Sequence, residues 1–243
     1  MNANYIFLDK TDSTNLQLKR LIQTETTPEF FYCATGFQSS GKGTGTNKWH
    51  SEKDKNALFS ILLRPQSIEL SNQFLISKII SLSILEFLNQ HTNNVKIKWP
   101  NDIFVNDKKI AGILIEVETK GNYFEKVIAG VGLNLNQEKF PYGLTNAVSL
   151  KNICNTDFNI KQSINEIVEI IRNKFSNISN YFVEKTNKLY ESNLFKINEI
   201  SKFRDKDGDF NGKIIGVNEF GQLLIDCEDS VRTYSFKEVE YLF

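Results

Sequence analysis

Gln38-Ser-Ser-Gly41-Lys42-Gly43-Thr44-Gly45-Thr46-Asn47-Lys48-Trp49 concentrates glycine, hydroxyl and lysine and ends on an aromatic ring. Three glycines at alternate positions let the backbone take positive φ and bring N–H groups up to an anion, where a side chain would collide. Lys42 and Lys48 add charge, and Trp49 offers a flat face to a base or ring. A bare surface turn is the plain alternative for such a loop. The stretch decides the fold by what it fails to be. Gly36 to Lys42 satisfies all but the last position of a phosphate-binding P-loop, yet Gly43 stands where Ser or Thr should hold magnesium. Gly43 and Gly45 also oppose the helix that must follow the lysine. A phosphate held by this loop therefore sits on another scaffold.

The chain has 243 residues, 40% of them hydrophobic, enough to bury a full core and to form one large domain plus a small one. Its 29 basic and 29 acidic residues cancel, so no global field draws nucleic acid or anionic membrane, and a basic site must be local. Cys33, Cys154 and Cys227 are widely spaced and lack CxxC spacing, which argues against a disulfide framework or a zinc site and for buried small apolar residues. No leader pattern opens the sequence and no apolar run approaches a membrane span, so a cytoplasmic protein without membrane contact is expected. With only His50 and His91, a Ser-His-Asp triad and His-based metal catalysis are poorly supported.

Working outward, Phe30 to Phe37 reads as the strand leading into the loop, and Tyr5 to Leu8 as a strand before it. Between them, Asp12-Ser13-Thr14-Asn15 supplies N-cap residues for a helix toward Ile22. Ala57 to Leu63 is an apolar run, and Phe74 to Leu88 is a helix apolar on nearly every face. Strands are expected at Val95–Trp99, Ile110–Val117 and Lys126–Leu135, with turns at Asn106-Asp107 and Gly121-Asn122. Ile160, Ile164, Ile167, Val168, Ile171 and Phe175 fall on one helical face. Beyond Leu194, short strands at Lys213–Val217, Leu223–Asp226 and Thr233–Phe236 suggest a small β module docked on the rest.

Three further segments carry chemistry. Lys98-Trp99-Pro100-Asn101-Asp102 closes a strand, where Trp99 reads as core and Asn101 and Asp102 read either as turn residues or as ligands for magnesium on ATP. Lys109 stands at the mouth of the next strand, in which Gly112 signals a close approach by backbone or ligand. Gly130-Val-Gly132-Leu-Asn134-Leu-Asn136 has the wrong spacing for a dinucleotide fingerprint and places asparagines where apolar residues belong, so both need partners.

In this order, Asp12–Asn15, Gly41–Trp49, Lys98–Asp102, Lys109–Glu116 and Gly130–Asn136 resemble the motifs of the biotin protein ligase family. The resemblance covers about residues 1 to 195 and, more faintly, the C-terminal module. It implies an α+β fold: a mixed, mainly antiparallel sheet flanked by helices, of the class II aminoacyl-tRNA synthetase-like type, as residues 1–195. An SH3-like β barrel would follow as residues 196–243. No segment before Tyr5 matches the family's DNA-binding domain, so a ligase without DNA contact is expected. The implied reaction joins biotin to ATP as biotinyl-5′-adenylate and transfers it to a lysine of a biotin carboxyl carrier protein.

By the same resemblance Lys109, Lys42 and Asp102 carry catalysis. Ser13, Thr14, Gln38, Gly41, Lys42, Lys109, Gly112 and Leu114 form the biotin slot. Lys42, Thr44, Trp49, Lys98, Asn101, Lys109 and Asn134 contact ATP, and Asn101 and Asp102 hold Mg2+. A homodimer is left open. The loop departs from the family pattern G-R-G-R-x-G-R-x-W, with Lys42, Thr44 and Asn47 in place of arginines, and so offers fewer two-pronged clamps. A lipoate or octanoate ligase of the same fold and a catalytically silent binding module are the rival readings.

Overall fold

The computed structural model describes residues 4–144 and 146–242. In chain order they form β1 (Tyr5–Leu8), α1 (Thr14–Thr24), β2 (Tyr32–Thr35), β3 (Ala57–Leu63), α2 (Phe74–Asn89), β4 (Val95–Lys98), β5 (Asp102–Val105), β6 (Lys108–Lys120) and β7 (Tyr123–Leu133). There follow α3 (Leu150–Cys154), α4 (Ile160–Ser176), α5 (Asn180–Ser192), β8 (Ile200–Asp205), β9 (Gly208–Val217), β10 (Leu223–Asp226), β11 (Val231–Tyr234) and β12 (Glu240–Leu242).

The run Ala57–Leu63 becomes an interior strand buried along its whole length, because helices cover both faces of its sheet. That sheet has the order β1-β2-β3-β7-β6-β5-β4, with only the β1–β2 pair parallel. On one face α1 buries Leu18 against Cys33, Leu62 and Ile128. On the other, α2 and α4 pack Ile76, Ile79, Ile164, Ile167 and Ile171 against Phe59, Ile61, Ala129 and Val131. Burying one such side chain stabilises the fold by about 1.5–3 kcal/mol, which outweighs the modest helix propensity of isoleucine. The α+β architecture is the one expected. α2 is buried nearly all round and α4 along one stripe, as their patterns predict.

Five elements escaped the sequence pattern: β5, α3, α5, β8 and β12. β5 begins on Asp102, itself a turn signal, and ends at Asn106 and Asp107, whose φ of 47° and 63° make the tight hairpin turn into β6. α5 buries only Thr186 and Tyr190, so its sequence lacks an apolar stripe. β8 turns a single large apolar residue, Phe203, into the core between charged neighbours.

The C-terminal strands pair antiparallel in the order β11-β10-β9-β8-β12. This gives the expected small β module the form of a five-stranded sheet. Its apolar side, with Phe203, Ile214, Leu223 and Tyr241, joins the same core as the large sheet. Trp99 is buried there and its Nε1 donates to the Gly221 carbonyl at 2.9 Å, so it packs as core.

The three cysteines are free. Only Cys33 is fully buried, and burial pushes its thiol up to about 12; Cys154 and Cys227 are half-buried, contrary to expectation. No helix among the described residues is long and apolar enough to cross a membrane.

Candidate functional site

Strand register lays small residues side by side on the α1 face of the sheet. Leu58 pairs with Gly132, Gly132 with Gly112, and Gly112 with Asp102; in the next row Ser60 pairs with Gly130, and Gly130 with Leu114. The glycines make a floor low enough for side chains to lie on. A Cβ at Gly132 would stand 2.4 Å from Trp49 Cε2, one at Gly112 3.0 Å from Trp49 Cζ3, and one at Gly130 2.2 Å from Asn15 Oδ1. The close approach expected at Gly112 is therefore made by the Trp49 ring and by Lys109. A slot over this floor is lined by Ser13, Thr14, Gln38, Lys42, Thr44 and Trp49 on one side and by Asn101, Asp102, Lys109, Gly112 and Leu114 on the other.

One end of the slot is a buried polar chain. Gln38 Oε1 accepts from the Thr14 N–H at 2.8 Å and lies 3.2 Å from Thr14 Oγ1. Ser60 Oγ stands 2.7 Å from Thr14 Oγ1 and 2.5 Å from Asn15 Oδ1. Asn15 Nδ2 donates to Glu116 Oε2 at 2.7 Å, and Lys19 Nζ reaches Glu116 Oε1 at 2.8 Å. Burial alone would raise the Glu116 carboxyl, but hydrogen bonds from Lys19 and Asn15 outweigh it and hold the group below its ordinary value. Asp12 accepts the Ser13 N–H at 2.7 Å, and Arg20 beside it keeps its carboxyl well below the usual range. Ser13, the N-cap of α1, makes no side-chain cap bond, which leaves its hydroxyl for the slot.

The glycine loop forms the lid of the slot. Lys42 bridges Lys48, Trp49 N–H donates to the Gly41 carbonyl and Gly43 N–H to the Asn47 carbonyl, so residues 41–49 close as a miniature hairpin around Gly45 at φ 65°. Gly41 serves this closure, since a Cβ there would meet the Trp49 carbonyl at 2.6 Å, and it does not line the slot.

Lys109 reaches the slot through an irregularity. Ile103 pairs with Ala111 but Phe104 with Lys109, so Ile110 is an extra residue. Ile110 and Ala111, neighbours in sequence, both enter the core of the far face. This bulge re-aims Lys109 to the same side as Gly112, where regular alternation would separate them. Its Nζ then pairs with Asp102 Oδ1 at 2.7 Å and stands 5.7 Å from the centre of the Trp49 ring.

Of the residues named from the sequence, Ser13, Thr14, Gln38, Lys42, Thr44, Trp49, Asn101, Asp102, Lys109, Gly112 and Leu114 all line this one slot. Lys98 instead lines the wider cleft between the two sheets, its ammonium over the Phe104 and Tyr241 rings, where burial lowers its pKa and Asp102 partly restores it. Asn134 is buried and does not line the slot: its Nδ2 donates to the Val148 carbonyl at 3.1 Å, while its buried Oδ1 has no partner in the structure. Asp102 Oδ1 pairs with the Lys109 ammonium, and the Asn101 Nδ2 donates to the Ile113 carbonyl at 2.8 Å. Among the described residues no group of three or more His, Cys, Asp and Glu side chains could hold a metal ion.

Sequence reasoning missed Ser60, Lys19 and the roles of Asn15 and Glu116. A lone serine inside the apolar run Ala57–Leu63 was the available signal for the first.

Comparison with known proteins agrees with this geometry. The model of the biotin/lipoate A/B protein ligase family matches residues 7–134. The bifunctional ligase/repressor BirA of Bacillus subtilis is 26% identical over 244 residues, covering 99% of this chain and 74% of its own length. Biotin–protein ligase 2 of Arabidopsis thaliana is 32% identical over 171 residues, covering 68% of this chain and 50% of its own. The structure of the biotin protein ligase from Aquifex aeolicus in complex with biotin and ATP matches at a TM-score of 0.83 and 26% identity, over 99% of this chain and 100% of that one. With the family match running over more than half of the sequence and through the glycine floor, Lys109 and Asn134, the chain belongs to the biotin/lipoate A/B protein ligase family.

Proposed function

We propose that this chain is an ATP-dependent biotin protein ligase, which activates biotin as biotinyl-5′-adenylate and transfers it to a lysine of a biotin carboxyl carrier protein. The observation that carries the reading is Lys109, anchored on Asp102 at one end of a slot whose other end is the Thr14–Gln38 polar pair. A long ligand with a neutral polar head and an anionic tail fits that arrangement.

In the first step a biotin carboxylate oxygen bonds to the α-phosphorus of ATP, and the bond from that phosphorus to the bridging oxygen of the β-phosphate breaks. Pyrophosphate departs with the electron pair. Two anions must approach, and the Lys109 ammonium offsets their repulsion, with Lys42 above the slot adding a second cation. Asp102 holds Lys109 in place and keeps it from folding back on the sheet. In the second step the carrier's lysine amine attacks the acyl carbon, AMP leaves with its oxygen, and the amine loses a proton. Magnesium enters with ATP as part of the substrate, with Asn101 and Thr44 beside the triphosphate path.

The orphaned Asn134 Oδ1 is an acceptor of the kind an exocyclic adenine amine needs, and the Trp49 ring is a surface for the base to lie against. The division into a catalytic unit, residues 1–195, and an SH3-like unit, residues 196–243, belongs to this proposal, as does a cytoplasmic setting. The test is pyrophosphate exchange into ATP. Exchange driven by biotin and not by lipoate is expected; exchange driven by lipoate alone would assign the slot to an acyl chain, and folded protein inert with both would be a silent binding module.

A further inference from the structure

The residues behind the slot fix the direction of each hydrogen bond in the buried chain. Glu116, paired with Lys19, can only accept, so the Asn15 amide must turn its Nδ2 toward it and its Oδ1 toward Ser60. Asn15 is 3% exposed and Ser60 0% exposed, so no solvent relaxes this choice. Ser60 has one hydroxyl proton and two oxygens within reach. Asn15 Oδ1, at 2.5 Å and without a proton of its own, takes it. The 2.7 Å contact between Ser60 and Thr14 then runs the other way, with Thr14 donating, and the longer 3.2 Å approach of Thr14 Oγ1 to Gln38 Oε1 gives way. Thr14 is left presenting a lone pair. Gln38, whose Oε1 already takes the Thr14 N–H, is left with Nε2 to donate.

We infer that Glu116, Asn15 and Ser60 are positioning residues that set the slot's head to read an adjacent N–H and C=O in one ligand, the edge of a cyclic urea. Lys19 and Glu116 fix the sense of the chain from outside the slot. Gly130 makes room for it, since a Cβ there would strike Asn15 Oδ1. The inference rests on the biotin reading of the slot and adds the source of its selectivity. A neutral amide at 116 loosens the constraint to the long 3.4 Å contact of Asn15 Nδ2 with the Leu114 carbonyl: Asn15 can then turn over and donate to Ser60, Ser60 to Thr14, and the Thr14 hydroxyl donates into the slot.

The test uses calorimetric titration of full-length wild type, Ser60→Ala and Glu116→Gln with biotin and with its two cyclic carbamates, each having one ureido N–H replaced by oxygen. Circular dichroism and thermal melts check the fold. Wild type is expected to reject at least one carbamate by about 100-fold relative to biotin, because a site built around a donor leaves an acceptor unpaired. Both variants are expected to cut that ratio to below about tenfold. Variants that weaken biotin and both carbamates by one common factor would overturn the inference, reducing the chain to a structural support. Wild type that binds no biotin would instead overturn the reading of the slot itself. Each variant breaks the same chain, so either one that keeps its melting transition decides the matter.

Discussion

At one end of the slot Thr14, Asn15 and Ser60 are all but sealed from solvent and tied to three secondary-structure elements. At the other, Lys42, Asn47 and Lys48 are exposed on a nine-residue excursion closed by a few backbone bonds. The first end can reject a ligand because its polar groups have no alternative partners. The second follows whatever charge arrives, since exposed lysines and a glycine hairpin lose little by rearranging. In the proposed reaction, selectivity and chemistry fall to parts of different stiffness, with Lys109 standing where the two meet.

The largest break in this comparison is expected from Lys109→Ala, which should lower biotin-dependent pyrophosphate exchange by about 1,000-fold while leaving biotin bound at the head end. Equal losses of binding and exchange would show that the two ends are not separable. Next is Gly130→Ala, whose methyl displaces Asn15. The KM for biotin should rise by about 10- to 100-fold and that for ATP little, as steady-state kinetics would reveal. Thr44→Arg sharpens the loop end: a charge-assisted clamp should slow biotinyl-adenylate release about tenfold, and an unchanged off-rate by stopped flow would refute it. The smallest effect is Asp12→Asn. Because the carboxyl of Asp12 is held below its ordinary value in the folded chain, its contribution exists above that value and fades as the pH falls. Chemical denaturation should therefore find the variant weaker by about 0.5 kcal/mol at neutral pH, after allowance for solvent screening, and converging on wild type in acid.

Much of this was legible in the sequence, for identifiable reasons. α2 and α4 announce themselves because isoleucine and leucine recur where a helix needs them, and Gly112, Gly130 and Gly132 because glycine in a buried strand must admit something. What they admit was not legible, since Trp49 and Asn15 come from far along the chain. β5 hid because its first residue is an aspartate that reads as a turn, and that aspartate pairs with Lys109. Ser60 hid inside an apolar run, where one hydroxyl changes periodicity little but decides where three protons go. Asn134 was placed near the base by its motif, and only the structure separates its satisfied amide nitrogen from its orphaned oxygen.

The extra residue at Ile110 has a meaning for heredity as well as for geometry. Loss of the Ile110 codon would leave Lys109 two residues before Gly112, on the slot side by plain alternation, so the lysine's side survives the removal of the very residue that forces the bulge.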